Sequence, residues 1–141
     1  MVSFRHEAEQ LARRIGRTMT LIHGGGSIGA TAAQRWKTQI NENAKAPAIH
    51  GELPELDHNE IVGWDGMGDL GPFSAVFLDD EDLHPRIRSR IELTEWLLGP
   101  SAAATFRVET RGGNAVERVF SLVLLGDLVS LYVAVLRGID P

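Results

Sequence analysis

The 141-residue chain contains no cysteine, which excludes a disulfide scaffold, thiolate metal sites and a cysteine nucleophile together and fits a reducing cytoplasm. It also lacks a basic run. Fourteen Lys and Arg stand against nineteen Asp and Glu, so nothing tracks a phosphate backbone and no nucleic-acid partner is expected. The first twenty residues carry charge without an apolar core, so no secretory signal is read there. No internal repeat or low-complexity tract is present. The one long apolar run, Val119 to Leu136, holds Asp127 at its middle, where a bilayer would exact about 2.5–3.5 kcal/mol. It is read as a helix buried on most faces within a soluble domain, with no membrane partner.

The length admits one ordinary domain with a core of its own. Apolar residues Phe4, Ala8, Leu11, Ala12 and Ile15 recur at helical intervals, and Gly16 closes that helix. Thr18 to His23 reads as a strand, followed by the glycines of 24–29 as a tight loop and a helix over Ala30 to Ala44. Pro47 opens a segment rich in Pro, Gly and Asp, read as irregular up to Gly71. Phe73 to Leu78 is a second strand, Pro85 to Leu98 a helix, Ala103 to Glu109 a third strand, and Asn114 to Arg137 a closing helix. Alternating strands and helices predict an α/β domain, a mainly parallel sheet with helices on both faces.

Gly24 to Gly29 satisfies G-x-G-x-x-G between a strand and a helix. Three uses stay open: a dinucleotide fingerprint, close packing of strand on helix, and approach of a ligand to amides at a helix N-terminus. The fingerprint also wants an acidic residue closing a second strand, and Glu52 has the distance but falls in the segment read as irregular. In the following helix Ala33, Trp36, Ile40 and Ala44 form one stripe, so Glu42 faces away from the core. Asn41, Glu42, Asn43 and Lys45 crowd the helix end just before Asp57, His58, Asn59 and Glu60. Carboxylate, imidazole and amides together suit proton transfer beside a polyhydroxyl ligand. His50, Asp57, His58 and Glu60 have no recognised metal-ligand spacing, so no metal is assigned. Trp36, Trp64 and Trp96 are read as core or interface anchors.

Gln39-Ile40-Asn41-Glu42-Asn43-Ala44-Lys45 and Pro54-Glu55-Leu56-Asp57-His58-Asn59-Glu60-Ile61-Val62-Gly63-Trp64 strongly resemble the bifunctional phosphoglucose/phosphomannose isomerases of the sugar isomerase (SIS) superfamily. Glu117 to Leu122, Leu125-Gly126-Asp127 and Leu136 to Pro141 are similar to that family's closing segment. The resemblance implies a single SIS-type, flavodoxin-like domain equivalent to the C-terminal half of a two-subdomain enzyme. It implies isomerisation of glucose 6-phosphate and mannose 6-phosphate with fructose 6-phosphate through an enediolate, with no cofactor or metal. Glu42 matches the family's catalytic base and His58 its ring-opening histidine, the latter serving the Glu42 of a partner chain. Imidazole suits ring opening because it exchanges a proton near neutral pH, and the base is best served by partial burial.

Ser130 and Arg137, seven residues apart on the last helix, point with Gly126 to one face and are expected to line a pocket together. By resemblance Ser130 handles the C2 epimers and Arg137 assists ring opening. A guanidinium keeps its proton, so Arg137 would hold an oxygen electrostatically; its other reading is a cation complementing the helix dipole. Gly25, Gly26, Ser27 and Asn41 are the further substrate-binding candidates. Neither the Ser/Thr-rich phosphate loop nor the arginine of the family's first subdomain is found, so the chain is expected to be a fragment or a reduced protein with weak or no activity alone. Its expected partners are a sugar phosphate and either a second copy, as a homodimer, or an N-terminal SIS subdomain. The alternative function is a non-catalytic SIS module that binds sugar phosphates for regulation or assembly.

Overall fold

The computed structural model describes residues 3–141. Ser3 starts the first helix, its hydroxyl accepting from the His6 amide at 3.3 Å. That helix, α1 (Phe4–Ile15), buries Ala8, Leu11, Ala12 and Ile15. The chain continues through β1 (Met19–Gly25), α2 (Gly26–Ala44) and β2 (Ala48–Leu53). A short-turned segment over 55–69 includes α3 (Glu60–Gly63). Then follow β3 (Phe73–Asp79), α4 (Pro85–Leu98), β4 (Ala104–Glu109) and α5 (Ala115–Leu136).

All four strands are parallel, in the order β2-β1-β3-β4. Alternation along the strands builds two cores. Ile22, Val76, Leu78 and Val108 face α1, α2 and α5, while Leu21, Ala75 and Phe77 face α4 and the 55–69 segment. Helical layers on both faces of a parallel sheet match the expected α/β class.

Three readings need correction. The segment after Pro47 is not irregular throughout, since Ala48–Leu53 forms β2 and pairs with β1 from Thr20↔Ala48 to Gly25↔Leu53. As an edge strand it buries only Ala48 and Leu53, so it has no apolar run to announce it. The glycines of 24–29 are not a loop either: β1 runs to Gly25 and α2 starts at Gly26, where φ is +64°. Finally, α5 is not buried on most faces. It packs on α1 and α2 through Leu122, Leu125, Val129 and Val133, while Val116, Phe120, Leu124, Leu131 and Val135 stay exposed. It is also long and apolar enough to cross a membrane by length and composition alone.

The start of α5 is tied to the sheet by charge. Arg118 is buried and donates to Asp80 at 2.8 Å, with Asp82 at 2.7 Å, while Thr110 donates to the same Asp80 carboxylate at 2.9 Å. Trp36 and Trp64 are core residues, but Trp96 is 72% exposed, which removes it from the core.

Candidate active site

The polar residues singled out by sequence fall at two opposite edges of the sheet. Helix α2 begins where β1 ends and returns over 19 residues, about 28 Å at 1.5 Å per residue. Glu42 therefore lies beside the edge where the strands begin. Strand β2 then climbs to the other edge, and His58 follows five residues past its end. One chain keeps Glu42 and His58 apart, and both are exposed.

At the first edge, Glu42 lies on the last turn of α2, opposite the buried stripe of Ala33, Trp36, Ile40 and Ala44. The helix stops at Lys45, which is left-handed with φ +50° and returns its Nζ to the Glu42 carbonyl at 2.8 Å. Asn41 donates to the Ala46 carbonyl at 2.8 Å. Its amide thus fastens the turn after the helix, leaving its carbonyl oxygen for other work. Asn43 donates to Ser130 at 2.8 Å, and Ser130 donates to the Asp127 carbonyl at 2.7 Å. The Ser130 hydroxyl is fully buried and engaged between α2 and α5.

A cation that the spacing argument passed over is Arg35, two turns before Glu42 on the same face. It holds Asp127 through two bonds of 2.9 and 3.1 Å. The Asp127 carboxylate, with Glu42 adding at longer range, pushes the guanidinium further toward its charged form. A signal was available in the sequence, because Arg35 and Glu42 share the seven-residue spacing that was noticed for Ser130 and Arg137.

That second pair does not share a pocket. Gly126 is filled by Trp36, and a β-carbon there would fall 2.2 Å from the indole. Ser130 is pressed on Asn43, near the end of α2, whereas α5 continues beyond it, so Arg137 emerges at the ends of α1 and α5. There it lines an open cleft of about 490 Å³ with Arg13 and Arg17. The helical spacing was right, but the neighbours of α5 change along that face.

At the opposite edge the glycines mainly pack. A β-carbon at Gly24 would sit 2.2 Å from the Gly29 backbone, and one at Gly25 would meet Ile91 and Leu83 at 2.8 and 2.9 Å. Gly25 is buried beneath those two side chains, which corrects its assignment to a ligand surface. Gly26 and the exposed Ser27 do line a cleft of about 550 Å³ with Thr31, Gln34 and Glu52. Glu52 lies in β2, in register with Gly24, so the objection that it closes no strand does not hold.

The His58 segment is anchored from within. Leu56 and Trp64 are buried, and Asp57 accepts from Thr94 at 2.8 Å. Glu60 turns inward to His23 at 2.7 Å. Asp57 and Glu60 thus point away from His50 and His58, which are both exposed. His23, fully buried in β1, was missed by sequence reasoning because a histidine inside an apolar strand does not reveal a partner 37 positions away.

The geometry defines a class: a parallel α/β domain that presents a carboxylate at one sheet edge and an imidazole at the other. Residues 4–141 match the model of the bacterial phospho-glucose isomerase C-terminal SIS domain. A bifunctional phosphoglucose/phosphomannose isomerase of Aquifex aeolicus is 33% identical over 139 residues, covering 99% of this chain and 43% of the relative. One from Caldicellulosiruptor bescii is 37% identical over 135 residues, covering 95% and 40%. A crystal structure of a glucose-6-phosphate isomerase-like protein from Thermus thermophilus has a similar fold, with a TM-score of 0.75, 22% identity, and coverage of 95% of this chain and 42% of that one. The chain belongs to the family of bacterial phospho-glucose isomerase C-terminal SIS domains. It spans about two fifths of the length of these curated relatives.

Proposed function

We propose that this chain is the C-terminal SIS half of a cytoplasmic aldose–ketose isomerase acting on glucose 6-phosphate and mannose 6-phosphate, with Glu42 and His58 as its acid–base residues. The observation that carries the reading is that both groups are exposed at opposite edges of one fold, each on an anchored segment. That arrangement suits an active site closed between two copies, where Glu42 of one chain meets His58 of the other. The second chain would also supply the burial that Glu42 lacks in one chain.

In the reaction, His58 exchanges a proton between the ring oxygen and the anomeric hydroxyl, opening the sugar. Glu42 takes the C2 proton of the open aldose, and the electron pair forms an enediolate. The same carboxyl returns a proton to C1, while a proton moves from the C2 hydroxyl to the oxygen on C1, leaving the C2 ketone. By resemblance Arg137, from the cleft it lines with Arg13 and Arg17, supports negative charge on an oxygen and keeps its own proton. Binding of the distant phosphate, which commonly helps stabilise such transition states, falls to the first subdomain.

The test is an isomerase assay with the first subdomain of a relative added. Activity should appear in the mixture, be weak or absent for the chain alone, and fall at least about a thousandfold in Glu42→Gln and a hundredfold in His58→Gln. Mixing equal amounts of the two variants should restore about a quarter of wild-type activity, because half the dimers are mixed and each holds one intact site. Tight sugar-phosphate binding without turnover in any mixture would instead favour the non-catalytic module.

A further inference from the structure

His58 is exposed, yet the residues around it are fastened to α4 and to the sheet. Leu56 is buried in the core beneath α4. Asp57 accepts from Thr94 at 2.8 Å and pairs with Arg90 at 3.4 Å, both on α4. Asn59 caps α3, its side chain accepting from the Glu60 amide at 2.6 Å. Glu60 reaches to the sheet, 2.7 Å from Nε2 of His23. Trp64 closes the segment with its ring edge-on to His23, at 6.5 Å between centroids.

His23 is a buried anchor. It is fully buried on a strand flanked by β2 and β3, with Phe77 edge-on at 5.2 Å. A carboxylate can only accept, so Nε2 of His23 carries the proton and donates it. Its Nδ1 is buried without a partner among the described residues. Glu60 is therefore the ring's one hydrogen-bond partner, and losing it would leave both nitrogens bare in a low-dielectric core. Neighbouring β2 leaves space for the carboxylate at Gly51, where a β-carbon would lie 3.1 Å from Oε2 of Glu60.

We propose that His23 and Glu60 are positioning residues. Their hydrogen bond clamps the 55–64 segment to the sheet and so holds the His58 imidazole in the orientation that ring opening needs. The functional half of this statement rests on the reading of His58 given above. A pair that merely stabilised the fold would affect the whole chain alike. A clamp acts on its own segment and on the chemistry that segment carries.

The variants Glu60→Ala and Glu60→Gln separate these cases, because glutamine keeps an acceptor within reach of Nε2. Peptide-resolved hydrogen exchange on Glu60→Ala should show amides of 55–64 exchanging at least about tenfold faster and left with little protection, while β1 and β3 remain strongly protected. In the assembled isomerase kcat should fall about tenfold with KM within about twofold, and Glu60→Gln should recover most of both effects. Loss of protection in β1 and β3 down to the level of 55–64 would overturn the clamp, as would unchanged exchange in 55–64 or a Glu60→Gln variant that behaves like Glu60→Ala. If His58→Gln left turnover intact, the isomerase role of His58 would fail separately and take the functional half of the proposal with it. The exchange pattern would still decide whether the clamp exists.

Discussion

Asp79 ends β3 with its side chain almost entirely out of water, and its guanidinium partner is poorly placed. Arg88 stands 3.3 Å from the carboxylate and makes its shorter bond, 2.7 Å, to the Asp80 carbonyl. Burial pushes the Asp79 carboxyl above its ordinary value, and Arg88 offsets this only in part. The folded chain then holds that proton more tightly than the unfolded one, so stability falls as pH rises from the ordinary value through the raised one. Asp79→Asn should remove the penalty. Thermal melts should show the variant a few degrees above wild type at neutral pH, with the gain vanishing at pH values below the ordinary carboxylate range. Arg88 is partly exposed and can be rehydrated in the variant. At this scale the sequence was readable where periodicity decides orientation, as for Glu42. It was silent where a contact depends on distant chain, as for His23 with Glu60 and Arg35 with Asp127.

Between elements, the contact of α2 with α5 depends on one absent side chain. Gly126 lets the Trp36 indole lie against the α5 backbone, where its Nε1 donates to the Leu122 carbonyl at 2.7 Å. Gly126→Ala should cost about 3 kcal/mol through overpacking, seen as a lower denaturation midpoint and altered tryptophan fluorescence. Sequence periodicity placed Trp36 on the buried stripe of α2 and Gly126 on one face of α5 with Ser130 and Arg137, but could not tell a pocket from a packed contact. The same limit explains the elements. α1, β3, α4 and β4 carry strong apolar patterns and were read nearly to their ends. β2 was lost because an edge strand with four partly or fully exposed residues has no such pattern. The start of α2 was placed late because glycine normally argues against helix, while here Gly26 and Gly29 permit strand and helix to touch.

For the whole molecule, the exposed stripe of Val116, Phe120, Leu124, Leu131 and Val135 along α5 is the surface expected to join two copies. Light scattering should give the mass of two chains. The double variant Phe120→Glu, Leu124→Glu should give the mass of one while keeping the wild-type circular dichroism. A wild-type protein that stays at the single-chain mass at high concentration would count against this surface. The proposed sharing of an active site between copies is the part least legible in one sequence, since neither Glu42 nor His58 is a constellation by itself.

The direct passage of β1 into α2 has a consequence for how this architecture tolerates change. With no spare residue between Gly25 and Gly26, a single insertion there would rotate the whole of α2 by about 100°. Trp36 would be wound out of its seat and Glu42 carried to a different bearing. Length variation should instead collect around Gly63, Gly66, Gly68 and Gly71, where an added β-carbon would meet only open space.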